Sequence, residues 1–150
     1  MIEIKGEYSV QLTIQNMFNT YTMVINEHNV VTDEGVELIF KCATQKNEEE
    51  YFGNIWVGYN NSNASSTDTI NTFNNPKELP QAKTYTENNV LIYDLVCDGS
   101  LLDDTIEMGI WSNTEKTLIT RSVHQEPYSM PNGSEIRIKY KLTMKNIGEE

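Results

Sequence analysis

Two cysteines in 150 residues, Cys42 and Cys97, are too few for a disulfide framework and too far apart for a zinc-ligand spacing. Two buried, reduced thiols are expected. Histidine is equally scarce. His28 is read in a turn and His124 as an exposed residue at a strand end, and neither lies in a nucleophile, general-base or metal motif. No catalytic residue, metal site or cofactor is therefore nominated, and an enzyme is not expected. Basic residues number 11 against 22 acidic ones, a formal charge of −11. Such a chain repels phosphate backbones and anionic bilayers, so neither nucleic acid nor membrane is an expected partner. No apolar run approaches the roughly 18 residues of a spanning helix, and "MIEIKGEYSV" lacks the basic-then-apolar order of a leader. Synthesis in the cytoplasm is the expectation.

What is present is β-forming. The length suits a single domain over residues 1–150. A hydrophobic fraction of only 38%, made up with Asn, Thr, Ser and Glu, implies long polar loops around a modest core. Tyr8, Val10, Leu12 and Ile14 alternate with polar residues as in a half-buried strand, and a second strand at Tyr21 to Ile25 completes an antiparallel hairpin. In "HNVVTDEGVELIF", Thr32 is a good N-cap, and Asp33 and Glu34 put negative charge on the first turn. Val36, Ile39, Phe40 and Ala43 form an apolar stripe at helical spacing. The pattern predicts a helix over about residues 33–46. Gly35 costs it about 1 kcal/mol relative to alanine, which implies that another backbone or ring packs there.

Ile55, Trp56 and Val57 make a short strand. A polar loop over about residues 60–82 follows, far longer than usual connections. The rest reads as antiparallel strands through "TYTENNVLIYDLVCDG", "TIEMGIWS", "KTLITRSVH" and "EIRIKYKLTMK". The expected fold is mainly β, an antiparallel β-sandwich with a single α-helix as its lid.

Three groups of side chains invite a binding role. Asp98, Asp103 and Asp104, with Glu48, Glu49 and Glu50, offer oxygen ligands to calcium, but without the spacing of an EF-hand loop they read as a solvated acidic face. Trp56 and Trp111 sit among aliphatic neighbours and are assigned to the core, whereas Tyr59 and Tyr128 lie near loops and are the candidate glycan contacts. In the last strand, Ile136, Ile138, Tyr140, Leu142 and Met144 occupy one face, and Arg137, Lys139, Lys141 and Lys145 share the other with Thr143. This basic row is either neutralised by carboxylates of the same domain or meets the acidic surface of a neighbouring subunit.

The stretches "NVVTDEGVELI", "IWVGYNNSNASSTDT" and "EMGIWSNTEKTLITR" follow one another in an order that resembles tailed-bacteriophage virion proteins of the tail-fibre, collar and head-fibre type. The resemblance runs over roughly residues 25 to 145. It implies a structural virion component, in tail, collar or capsid, that works by assembly with other virion proteins as repeated copies or a homo-oligomer. The alternative it allows is a carbohydrate- or receptor-binding module for a host surface glycan. The segment Asn60 to Ala82 would be a docking arm, cut first by protease in the free chain. One departure is Asn60, where relatives carry a second glycine.

Overall fold

A computed structural model describes residues 2–15, 20–42, 53–88, 90–112, 116–131 and 133–146, with side chains described for residues 30–38 and, within those spans, from 53 to 143. The strands are β1 (Ile2–Gln15), β2 (Thr20–Val31), β3 (Asn54–Gly58), β4 (Lys77–Glu78), β5 (Lys83–Glu87), β6 (Val90–Asp98), β7 (Glu107–Ser112), β8 (Thr117–Val123) and β9 (Glu135–Asn146). Among the described residues there is one α-helix, α1 (Asp33–Cys42). Residues 43–46, the remainder of the expected helix, lie outside them, as do Glu48, Glu49 and Glu50.

All pairings are antiparallel, in the order β4-β3-β7-β8-β2-β1-β9-β6-β5. The run divides into two sheets within β2. Its residues 20–29 pair with β1, as in Val10 opposite Ile25, whereas Val30 and Val31 pair with Arg121 and Thr120 of β8. The first sheet is β2-β1-β9-β6-β5, and the second is β4-β3-β7-β8 with the end of β2. Ile55, Val57, Met108, Ile110 and Ile119 of the second sheet share one buried cluster with Tyr93, Leu95, Ile136, Ile138 and Tyr140 of the first. Thr120 and Tyr140 meet hydroxyl to hydroxyl across the gap. The fold is the expected sandwich, and burying each Ile or Leu in its core contributes about 1.5–3 kcal/mol.

His28 and the residues after it are strand and not turn, because β1 continues beside them to Gly6 opposite Asn29. A paired neighbour outweighs their weak local β preference. Thr32 starts the helix as expected, its Oγ1 accepting from Gly35 N at 3.0 Å. A Cβ at Gly35 would come within 2.7 Å of both the Cα and the carbonyl oxygen of Ile119. The missing side chain is what allows α1 to rest on the backbone of β8. Thr32 N donates to Ile119 O at 2.9 Å, and Leu118 N donates to Glu34 Oε1 at 2.9 Å. A register shift in the β7–β8 ladder, where Ile110 faces Thr120 but Trp111 faces Leu118, lies at this docking point.

Candidate functional site: an arginine-anchored loop

The outer face of the second sheet is covered by the loop after β3. Trp56 stacks on Trp111 with ring centroids 4.1 Å apart, and Phe73 of the loop meets Trp111 edge-on at 5.2 Å. Leu118 and Ile70 complete this second apolar cluster. Both tryptophans thus pack, as expected, although on the outer side of the sheet. Gly109 lies beneath the loop, and a Cβ there would approach Phe73 to 3.0 Å.

Beside this cluster Arg121 is fully buried, and all three of its nitrogens donate hydrogen bonds. Nε reaches Glu107 Oε1 at 2.9 Å. Nη1 reaches Asp68 Oδ2 at 3.0 Å and Asn63 O at 3.4 Å. Nη2 reaches Asn60 O at 3.1 Å and Ser62 Oγ at 3.4 Å. Phe73 lies below the guanidinium, 5.9 Å from its ring centre. Glu107, also fully buried, uses its second oxygen to accept from Asn60 N at 2.7 Å and Asn74 N at 2.9 Å. One ion pair on adjacent strands therefore holds both ends of the Asn60–Asn74 segment and its middle. Buried charges need such complete partnering to be tolerated at all.

The loop also supports itself. Ser65 N donates to Asp68 Oδ2, and a short 3-10 turn at Ile70–Thr72 is closed by reciprocal bonds between Thr69 and Thr72. Asn60 turns its side chain inward, Nδ2 donating to Thr72 O at 2.6 Å. Further on, Asn54 holds the return of the chain by donating to Leu79 O at 2.7 Å and accepting from Ala82 N at 3.0 Å. An arm ordered only by a partner is not what these bonds describe, since the domain orders the segment itself.

Arg121 escaped prediction because its value depends on pairing. It stands opposite Gly109, so Glu107 is its diagonal neighbour on the same face. The available signal was an acid and a base on the two strands of one hairpin, flanking a glycine, in strands of otherwise apolar and hydroxyl residues.

The residues singled out from sequence are scattered. Tyr59 is 39% exposed at the head of the loop. Tyr128 is 3% exposed, packed in the main core with its ring stacked on His124 at 4.6 Å. Its expected role as a glycan contact is therefore corrected, because a buried ring offers no surface for stacking a sugar, and the same contact makes His124 half-buried and not exposed.

On β9, Ile136, Ile138, Tyr140 and Leu142 are buried while Arg137 is exposed and Lys139 and Lys141 are half-exposed, so the two rows are real. The side chains of Met144 and Lys145 lie outside those described. Arg137 is already engaged within the domain by a two-pronged bond to Asp94, Nε to Oδ1 at 3.1 Å and Nη2 to Oδ2 at 2.8 Å. That bond holds the Asp94 carboxyl below its ordinary range, with the charges of Lys139 and Lys83 adding to the effect.

Asp98 and Asp103 spend an oxygen each on backbone donors, Ser100 N and Met130 N, both at 2.9 Å. Among the described residues no group of three His, Cys, Asp or Glu side chains is arranged to hold a metal ion. Cys97 is a free, half-buried thiol whose pKa is pushed up to about 11 by burial and by the negative charge of Asp98 and Glu135. No family of proteins, no curated protein and no solved structure matches the chain.

Proposed function

We propose that the chain is a structural component of a tailed-phage virion, in its tail, collar or capsid-attached parts, and that it acts by assembly with other virion proteins and not by catalysis. The observation that supports this most is the Glu107–Arg121 pair. These residues bound the hairpin "EMGIWSNTEKTLITR", on which the resemblance rests, and they turn a long polar loop into a preformed surface. A surface already held in shape loses little conformational entropy on docking. That suits contacts repeated over many copies, where modest interfaces add up. Mass spectrometry of purified particles of the phage that encodes the chain is the direct test. The chain is expected among their proteins in a fixed ratio to the other components, and its absence overturns the reading.

A second reading keeps one observation of its own. Tyr59 presents a half-open ring beside the loop amides, an arrangement that can stack on a sugar. A host-glycan binder of this kind gives a positive glycan array that Tyr59→Ala abolishes, and an array without binding removes it.

A further inference from the structure

The two sheets end differently. At the outer edge of the second sheet β4 is two residues long and bracketed by Pro76 and Pro80, which blunts it against pairing. At the outer edge of the first sheet β5 is five residues long, with sequence Lys83-Thr84-Tyr85-Thr86-Glu87 and only Tyr85 partly covered. It contains no proline, its register with β6 is unbroken, and no described strand lies on its far side. Residues 20–29 of β2 also have one side unpaired among the described residues, but they carry a single acid, Glu27, and neither Lys nor Arg. They have no charge complement in themselves, whereas β5 has one.

Glu87 and Val90 are paired with only two residues between them in sequence, the spacing at which the flanking residues form the hydrogen-bonded pair that ends a hairpin. Antiparallel alternation then directs the N–H and C=O groups of Glu87, Tyr85 and Lys83 toward β6, and those of Thr84 and Thr86 outward. We propose that β5 pairs antiparallel with β5 of a second copy of this chain about a two-fold axis at Tyr85, joining the two first sheets into one continuous sheet. Thr84 of each copy exchanges hydrogen bonds with Thr86 of the other. Tyr85 faces Tyr85, and Lys83 of each copy faces Glu87 of the other on the same side of the sheet. The strand is its own complement in both hydrogen bonds and charge, which is what an isologous contact requires. The pairing needs only this edge and stands whether or not the chain is a virion protein.

The interface is short, so the dimer is weak in isolation. Sedimentation equilibrium of the full chain from about 10 μM to about 1 mM spans the range in which such a contact saturates. A monomer–dimer equilibrium is expected. Thr86→Pro removes an outward N–H while sparing the bonds to β6, and is expected to give a folded monomer. Lys83→Glu alone sets acid against acid and Glu87→Lys alone sets base against base, and each is expected to weaken the dimer at least about tenfold. An equimolar mixture of these two variants restores both charge pairs and is expected to dimerise like the parent chain. Circular dichroism confirms folding of each variant, and should the proline variant fail to fold, the charge variants carry the test. A parent chain that stays monomeric at about 1 mM overturns the proposal. So does a dimer unmoved by charge reversal, or a mixture that fails to recover it.

Discussion

Arg121 is the side chain on which most of the outer layer depends. Truncating it strands Glu107, which is fully buried, without its cation. Breaking a buried pair from one side costs about 3–5 kcal/mol, so Arg121→Ala is expected to lower the urea midpoint by that equivalent. Adding Glu107→Ala is expected to cost less than the sum of the two single changes, because no charge is then left orphaned. Asp94 and Arg137 form the contrasting, solvent-facing pair, with Arg137 47% exposed. The folded carboxyl titrates below its ordinary 3.8, chiefly through the hydrogen bond from Arg137. Its contribution is therefore present above pH 3.8 and is lost as pH falls through the lower folded value. Asp94→Asn is expected to be less stable than the parent at neutral pH and closer to it at an acid pH below 3.8, with the gap narrowing in high salt. Urea denaturation at the two pH values and two salt concentrations measures this.

Among the elements, the loop after β3 and the helix α1 share one support, the strand β8. A polar loop of this length is ordinarily the first site of proteolysis, but here its backbone is tied to Arg121 and Glu107. In the folded parent chain the segment Asn60–Asn74 is expected to resist trypsin-independent cleavage by a broad protease, and in Arg121→Ala it is expected to be cut first. Mass spectrometry of the early fragments distinguishes the two. Gly35→Ala sets two forces against each other. Alanine favours the helix by about 1 kcal/mol, but its methyl would press on the rigid backbone of Ile119. Overpacking costs about 1–3 kcal/mol, and a net loss of thermal stability is expected.

The start of α1, the apolar rows of the strands and the close approach at Gly35 were legible because each depends on neighbours within a few residues. The anchored loop was not, since Arg121 meets Asn60 only once two strands have paired and the chain between has folded back over them. Tyr128 was misjudged for a related reason: its loop position says nothing of the His124 ring that it stacks on.

At the scale of the whole molecule, 22 acids against 11 bases leave the half-exposed Lys139 and Lys141 as positive points on a negative body. Arg137 is committed to Asp94, so these two lysines are the members of the row to test for docking. On the proposed virion reading, Lys139→Glu combined with Lys141→Glu is expected to leave the domain folded and to reduce its incorporation into particles severalfold or more, as opposed charges steer and register such contacts. Normal incorporation, read by mass spectrometry of particles, shows that the row serves only its own domain.

The position of β9 has a consequence for biosynthesis. The last strand among the described residues lies between β1 and β6, with Ile2 opposite Asn146 at one extreme of the ladder. While the chain is being translated, the first sheet is missing its middle, and β1 and β6 each wait with one edge unpaired. Contacts between residues this far apart place folding among the slower β topologies, in milliseconds to seconds. Waiting strand edges are also where nascent chains aggregate or bind chaperones. The ribosome must therefore deliver nearly all of the 150 residues before the sheet can close around its last strand.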